Sequence, residues 1–451
     1  MLRRKAYDSL LEWKNQNGKK ALCIIGARQI GKTTLVREFG AKEYEHFVEI
    51  NFVTDPMAQE IFSGSLDAER ILTNLTAYVQ KEMVPGKTLV LFDEIQECPE
   101  VRTAIKFLVE DGRFDYIESG SLLGVRYKEI RSYPVGFEEI FYMYPMDFEE
   151  YLWANNVQEK TVLYLKDCYE KQISVSESVH HTMLQLFYSY IVVGGMPDVV
   201  QTYVDTNDIG KVVKLQRDIL ELYRLDIAKY ASGSDKIKIQ SVFDSIPAQL
   251  NEKNRRFMLS KIDKNGRQNR YAEGFRWLED AGVALPCYNV TEPQPPLQLN
   301  EKHNLFKLFL NDTGLLCAAC MENVQFSLLK GDLSINLGSI LENIMAQQLR
   351  CNGFHLHYFD SKKYGEIDFV LQKGSKLCLL EVKSGNDFKK HAAMNRVCDV
   401  NQWKIDEAVV FCKGNVERTG KIIYFPWYFI MFFKPDSIPQ NLKFTVDISQ
   451  L

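Results

Sequence analysis

A glycine-rich segment near the N-terminus has the residue types and the spacing of a phosphate-binding loop. Residues 26–34 read GARQIGKTT and match the pattern G-x-x-x-x-G-K-[ST], between an apolar run and a helical run. The glycines let backbone amides surround an anion, Lys32 would reach the β- and γ-phosphates, and the Thr33 hydroxyl would hold Mg²⁺. The alternative is a chance turn with a surface lysine. The predicted nucleotide-binding residues are Gly26, Ala27, Arg28, Gln29, Ile30, Gly31, Lys32, Thr33 and Thr34.

Two acidic residues, Asp93 and Glu94, follow a second apolar run at residues 88–92. An acid at the end of a buried strand is costly unless it meets a cation, so Asp93 fits a Mg²⁺ ligand. Glu94 fits the carboxylate that orients and deprotonates the attacking water, although two acids that cap a helix are the alternative. The pair favours ATP hydrolysis over a small-molecule kinase. The sequence contains no Asn-Lys-x-Asp motif, which disfavours a GTPase.

A second group of charged residues lies near the C-terminus. A predicted β-hairpin places Asp368 on one strand beside Glu381 and Lys383 on the other. Two converging carboxylates suit a hard, oxygen-ligated metal such as Mg²⁺, and the lysine would orient or activate a hydrolytic water. This Asp…Glu-x-Lys arrangement is similar to the signature of restriction-endonuclease-like nucleases. The alternative is a structural polar network.

Two further residues support this nuclease-like site. Glu342 lies on the apolar face of a predicted helix at residues 338–350, where a metal site would supply the partner that a buried acid needs. Lys389 follows the hairpin and is predicted as an accessory basic residue. The predicted catalytic residues are Lys32, Glu94, Glu342, Asp368, Glu381 and Lys383, and the predicted metal ligands are Thr33, Asp93, Asp368 and Glu381.

Strands that alternate with helices must position the phosphate-binding loop. Parallel strands are predicted at residues 21–25, 47–52, 88–92 and 114–118, which gives a doubly wound sheet with the nucleotide at its carboxyl edge. After the last strand, the hydroxyl of Ser119 or Ser121 would sense the γ-phosphate, although serine is also common in turns. The candidates for an arginine finger, each with a solvated arginine as its alternative, are Arg126, Arg131, Arg217 and Arg224.

The middle of the chain contains a basic segment. Residues 252–270 hold seven Lys or Arg and two acids, a local charge of +5 in a chain whose net charge is −4. Helices, a basic turn, a helix at residues 271–281 and an apolar segment follow one another in the order of a winged helix. This order predicts contact between residues 252–270 and the backbone of double-stranded DNA. A solvated basic face is the alternative.

Length and composition bound the architecture. At about 150 residues per domain, 451 residues predict about three domains of ordinary soluble composition, with 46% hydrophobic residues. The apolar run at residues 424–433 is too short for a membrane span of about 20 residues, and a cytoplasmic protein is predicted. Cys317 and Cys320 have metal-ligand spacing but read better as helical core. The predicted units are an ATPase domain (1–155), a helical lid (156–235), a winged-helix-like unit (236–302) and a nuclease-like domain (303–451).

The chain resembles prokaryotic AAA-type ATPases that carry a C-terminal domain of unknown function with a restriction-endonuclease-like fold. The resemblance implies ATP binding by the phosphate-binding loop with Asp93 and Glu94, a nuclease-like pocket around Glu342 and Asp368, and an overall α/β architecture. AAA-type modules often take an arginine from a neighbouring subunit, so a homo-oligomer is possible. The matching segments are GARQIGKTTLVREFG (26–40), VEINF (48–52), LVLFDEIQ (89–96), ESGSLLG (118–124), YPMDFEEYL (144–152), GGMPDVV (194–200), FRWLEDAG (275–282), NDTGLL (311–316), GEIDFVL (365–371) and LEVKSG (380–385).

Two functions are compatible with these patterns. The first is a Mg²⁺-dependent ATPase that is coupled to DNA binding or processing through a C-terminal nuclease. The second is a nucleotide-driven switch that binds a protein partner, in which the nuclease fold is catalytically silent.

Overall fold

The structure is a computed structural model that describes residues 2–16, 18–120, 133–231, 233–252, 255–320, 325–329, 337–436 and 444–446. Predictions that concern Ser121, Arg126 and Arg131 lie outside these residues. The first part of the described chain contains α1 (Lys5–Lys14), β1 (Ala21–Ile25), α2 (Lys32–Glu43), β2 (His46–Asn51), α3 (Ala68–Val79), β3 (Thr88–Asp93), α4 (Glu100–Asp111), β4 (Asp115–Gly120) and β5 (Glu138–Tyr142).

These five strands form one parallel sheet in the order β2-β3-β4-β1-β5. Alternate residues of β1 belong to two different hydrophobic clusters, because helices cover both faces of the sheet. Strand β4 lies between β1 and β3, so the ends of these three strands meet at one edge. The predicted doubly wound α/β arrangement is confirmed, and it is that of a P-loop NTPase.

A helical region follows the sheet. It consists of α5 (Phe148–Ala154), α6 (Glu159–Lys171), α7 (Glu177–Val193), α8 (Pro197–Thr206), α9 (Ile209–Tyr230) and α10 (Gly233–Leu250). Helix α5 begins with a capping box, in which the side chains of Asp147 and Glu150 each accept a backbone N–H at the helix start. Helix α10 lies across the predicted boundary between the helical lid and the winged-helix-like unit.

After α10 come α11 (Gln268–Asp280), β6 (Ala284–Val290) and β7 (Glu301–Leu310), in the helix–helix–hairpin order that the sequence predicts. Further along lie α12 (Thr313–Cys320), α13 (Gln325–Leu329), α14 (Gly338–Cys351), β8 (His357–Ser361) and β9 (Gly365–Ile367). The hairpin continues into a four-stranded sheet of order β7-β6-β8-β9. Because β7 contains the predicted boundary at residue 303, the hairpin and the C-terminal region share this sheet.

The C-terminal region contains β10 (Phe369–Lys373), β11 (Lys376–Val382), α15 (Ala392–Cys398), β12 (Glu407–Cys412), β13 (Glu417–Thr419) and β14 (Ile422–Pro426). These strands form a mixed sheet of order β10-β11-β12-β14-β13, and β10 with β11 is the predicted hairpin. The structure differs from the prediction in one respect, because the strand predicted through residues 366–371 is interrupted at Asp368. At this residue the chain passes from β9, which pairs with β8, to β10.

Two smaller predictions are also decided by the fold. Cys317 lies in helix α12 and is fully buried, which agrees with helical core. The apolar run near the C-terminus forms β14 and a buried 3-10 turn at Trp427–Phe432. Within the described part of the chain, no helix has both the length and the apolar character that crossing a membrane requires.

Candidate functional site

The phosphate-binding loop connects β1 to α2 in a conformation that depends on its glycines. Gly31 has φ +87°, and Gln29 also has a positive φ. A Cβ atom on Gly26 would lie 2.2 Å from the carbonyl oxygen of Met143, so only glycine fits there. Helix α2 begins at Lys32, which places the positive end of its dipole at the loop.

The Lys32 ammonium group rests on the loop itself. Its Nζ donates to the carbonyl oxygens of Gly26 (2.9 Å) and Ala27 (2.8 Å). Burial lowers the Lys32 pKa to about 8, against the opposing effects of Glu94 and Asp93. A bound polyphosphate would offer this ammonium group anionic partners.

This shifted pKa predicts that nucleotide affinity depends on pH. Phosphates stabilise protonated Lys32, whereas above a pH of about 8 the free protein increasingly holds the neutral amine. We therefore expect the Kd for ATP to increase as pH rises from 8 to 10, with proton uptake on binding, in calorimetric titrations. In Lys32→Arg, whose guanidinium does not titrate in this range, the dependence should disappear. An affinity of the wild-type protein that stays constant from pH 7 to 10 would contradict the assignment.

Asp93 and Thr33 lie side by side at the end of the sheet. The Thr33 hydroxyl donates to Oδ2 of Asp93 (2.9 Å), and Nδ2 of Asn51 donates to the same oxygen (2.9 Å). Burial raises the Asp93 pKa, and the nearby Glu94 adds to this effect. Oδ1 of Asp93 is buried without a hydrogen-bond partner among the described residues. The donor set therefore fits Mg²⁺, which would neutralise this acid and occupy the hydroxyl and carboxylate oxygens.

Glu94 occupies a backbone conformation that L-residues rarely adopt. Its φ is +55°, a position that costs on the order of 1–3 kcal/mol and is typical of functional sites. Nε2 of Gln96 donates to its carboxylate (2.5 Å) and so restrains the side chain beside the loop. Ser119, the register partner of Asp93 on β4, is also buried at this edge.

A cavity of about 290 Å³ adjoins the loop. Its walls include Lys32, Thr33 and Glu94, together with Arg4 near the N-terminus and Pro197 at the start of α8. Arg4 is buried and holds the wall in place, because it donates to the carbonyl oxygen of Ile30 (2.9 Å) and pairs with Glu150 (3.1 Å). Arg4, Pro197 and Asn51 come from separate parts of the chain and were not predicted as site residues.

The loop also contacts the elements that follow the sheet. Arg28 forms an ion pair with Asp226 on α9, and the hydroxyl of Tyr223 donates to the Arg28 carbonyl oxygen (3.3 Å). A Cβ atom on Gly282, which precedes β6, would lie 2.9 Å from the backbone nitrogen of Ala27. Changes in the loop are therefore transmitted directly to the helical region and to the β6–β7 hairpin.

The C-terminal carboxylates meet at a second site. Glu342, buried on α14, forms ion pairs with Arg255 and with Lys307 of β7, whose Nζ lies 3.2 Å away. The same Arg255 nitrogen lies 4.0 Å from Oδ1 of Asp368, so one guanidinium joins the two acids. Asp368 also accepts the N–H of Val382 (2.8 Å), which fixes the interruption between β9 and β10.

Glu381 and Lys383 complete this second site. Their charged groups are 2.6 Å apart, and burial raises the Glu381 pKa while Lys383 opposes the shift and Asp368 adds to it. The hard carboxylate oxygens of Asp368 and Glu381 have the chemistry that Mg²⁺ prefers. Sequence reasoning missed Arg255 and Lys307 as members of the site. Lys389 does not join the site, because it pairs with Glu417 at the surface (2.6 Å).

The arginine-finger candidates within the described residues are both distant from the loop cavity. Arg217 is exposed on α9, on the side that faces Gln325. Arg224 forms ion pairs with Glu221 and Asp244. Neither residue lines the loop cavity.

Comparison with protein families agrees with this division of the chain. An AAA domain matches residues 18–152, a domain of unknown function (DUF8612) matches residues 184–325, and another (DUF4143) matches residues 337–429. No curated protein matches the chain.

Solved structures with similar folds include three ATPase-related proteins. The Walker-type ATPase of Pyrococcus abyssi is 12% identical with a TM-score of 0.42, and the alignment covers 71% of this chain and 96% of that chain. The RuvB protein of Thermotoga maritima is 12% identical with a TM-score of 0.29, covering 62% and 87%. The ORC1 protein of Aeropyrum pernix, in complex with DNA, is 11% identical with a TM-score of 0.28, covering 74% and 93%.

The phosphate-binding loop, the Thr33–Asp93 pair and the AAA match define an AAA-type P-loop domain that binds ATP. The two units that follow it belong to domains whose function is unknown.

Proposed function

We propose that the protein is a Mg²⁺-dependent ATPase that acts on DNA through its C-terminal nuclease-like region. The observation that carries the ATPase part is the 2.9 Å contact between Thr33 and Asp93, beside Glu94 and the loop. These groups come from α2, β3 and the turn after β3, so the fold assembles a nucleophile-activating acid and a cation site around one phosphate position.

Each residue of the chain has a defined task in this reaction. Loop amides and Lys32 bind the β- and γ-phosphates and stabilise the charge that develops on them. Thr33 and Asp93 would hold Mg²⁺, which bridges the phosphates and neutralises their charge. Glu94 orients a water molecule towards the γ-phosphate and accepts its proton. The restraint by Gln96 fixes the position from which Glu94 acts.

The proposal for DNA rests on the position of the basic segment. Arg255 belongs to this segment and contacts Glu342 and Asp368, so residues 255–270 border the carboxylate site. DNA phosphates bound by these cations would lie beside Asp368, Glu381 and Lys383. There, Asp368 and Glu381 would hold a divalent cation and Lys383 would orient a hydrolytic water.

The second candidate, a nucleotide-driven switch with a silent nuclease fold, is favoured by a different observation. Arg255 and Lys307 already neutralise the Glu342 carboxylate, and the Lys307 side chain is fully buried. Such a network is stable without a metal ion. In this case the contacts of Arg28 and Gly282 would transmit the nucleotide state to a surface that binds a protein.

ATP turnover measured with and without double-stranded DNA separates the two candidates. The first predicts that DNA increases turnover, that this effect weakens steeply between low and moderate salt, and that plasmid is cleaved with Mg²⁺ or Mn²⁺. Lys383→Ala should abolish cleavage and leave basal ATP turnover intact. Cleavage that persists in Lys383→Ala, or its absence in the wild-type protein, would refute the nuclease part.

A further inference from the structure

The carboxylate site around Asp368 contains more positive charge than a metal-binding pocket needs. Four carboxylates (Glu342, Glu366, Asp368 and Glu381) are connected by ion pairs or electrostatic contacts to three cations (Arg255, Lys307 and Lys383). With all seven groups ionised, the site has a charge of −1. Without Arg255 the charge would be −2, which one divalent cation balances.

The three cations differ in how the fold holds them. Lys307 projects from β7 and is fully buried between Glu342 and Glu366, 3.2 and 2.6 Å from their oxygens. Lys383 follows β11 directly, and its backbone N–H donates to Phe411 of the neighbouring strand (2.9 Å). These two lysines are therefore part of the sheets. Arg255 lies outside any helix or strand, and a quarter of its side chain is exposed.

The backbone of Arg255 supports the view that its position depends on the ion pairs. Its φ is +45°, which is unfavourable for a residue with a Cβ atom. Two residues later, the N–H of Phe257 donates to Phe306 of β7 (2.9 Å), and the two rings stack. The chain is thus anchored at Phe257, while the Arg255 side chain is held mainly by Glu342 and Asp368.

We propose that Arg255 is a built-in cation that closes a divalent-cation site. When a divalent cation binds Asp368 and Glu381, it displaces the guanidinium from Glu342 and Asp368. The displaced arginine then rejoins the basic segment, where it can contact phosphate. This inference rests on the cation-binding role proposed above for Asp368 and Glu381, and it adds that the site is closed until the cation arrives.

Mn²⁺ binding to the full chain tests this mechanism without any measurement of activity. The titrations use Mn²⁺ alone, without nucleotide, in an Asp93→Asn background so that the loop contributes little. Arg255→Ala should raise the Mn²⁺ affinity about tenfold over this parent, because a competing charge is removed. Arg256→Ala, which removes the same charge from the adjacent position, should change it less than twofold. Adding Glu381→Gln to Arg255→Ala should abolish the gain.

Trypsin cleavage after Arg255 and Arg256 provides a second readout in the otherwise unaltered chain, should Arg255→Ala fold poorly. Mn²⁺ should accelerate this cleavage several-fold, and Glu381→Gln should remove the effect. Equal Mn²⁺ affinities of Arg255→Ala and its parent, equal gains in Arg255→Ala and Arg256→Ala, or cleavage rates that do not respond to Mn²⁺ would overturn the inference. A protein that passes these tests but leaves plasmid intact would retain the Arg255 mechanism and refute only the nuclease function.

Discussion

Lys32→Ala is expected to lower the affinity for ATP by at least about 100-fold and to reduce turnover to background. Lys32 is the buried cation of the loop, and a charge-assisted contact of this kind contributes roughly 3 kcal/mol or more in a site shielded from water. Equilibrium titration with a fluorescent ATP analogue measures the first effect, and phosphate release measures the second.

The matched control for this substitution is Lys42→Ala. Lys42 lies in the last turn of the same helix and forms an exposed ion pair with Glu38. We expect this variant to bind and hydrolyse ATP as the wild-type protein does. If Lys32→Ala hydrolyses ATP normally, the loop is not the nucleotide site.

Glu94→Gln is expected to bind ATP as tightly as the wild-type protein and to hydrolyse it about 10²–10⁴-fold more slowly. The amide keeps the shape of the side chain but cannot accept the proton of the attacking water. Single-turnover hydrolysis separates the two quantities, because binding and the chemical step are then observed independently.

Glu97→Gln is the control for Glu94→Gln, since it removes a nearby acid outside the residues that line the loop cavity. It should leave both binding and hydrolysis within about twofold of the wild-type values. Loss of binding in Glu94→Gln would show that the residue positions the loop or the Mg²⁺ instead of activating water.

The loop and its sheet could be predicted because their signals are local. Residues 26–34 are contiguous, and the strand before them and the helix after them are visible as apolar periodicity. Asp93 and Glu94 were predictable because a buried strand rarely ends in two acids without a cation. The order β3-β4-β1 then brings these segments to one edge of the sheet, as the alternation of strands and helices implies.

The other walls of the loop cavity could not be predicted in this way. Arg4, Asn51 and Pro197 are single residues in segments without a motif, and only the tertiary fold brings them to the loop. A weak signal existed for Arg4, since the basic N-terminus precedes the loop in an amphipathic helix. Nothing in the sequence connects Arg28 with Asp226 almost two hundred residues later.

The C-terminal site shows the same limit. The hairpin pattern predicted that Asp368, Glu381 and Lys383 are neighbours, because residues two apart on a strand share a face. It did not predict Lys307 or Arg255, since these depend on how the β6–β7 hairpin docks on α14. The basic segment was read as a surface for DNA, whereas the structure turns one of its arginines towards the buried Glu342.

The central claim is that this loop hydrolyses ATP with the help of Glu94, and one measurement tests it most directly. Phosphate release from Mg²⁺-ATP is followed for the wild-type protein and for Glu94→Gln, at ATP concentrations that saturate both. The account predicts steady turnover by the wild-type protein, and ATP that stays bound and intact in Glu94→Gln. Equal turnover by the two proteins would contradict it.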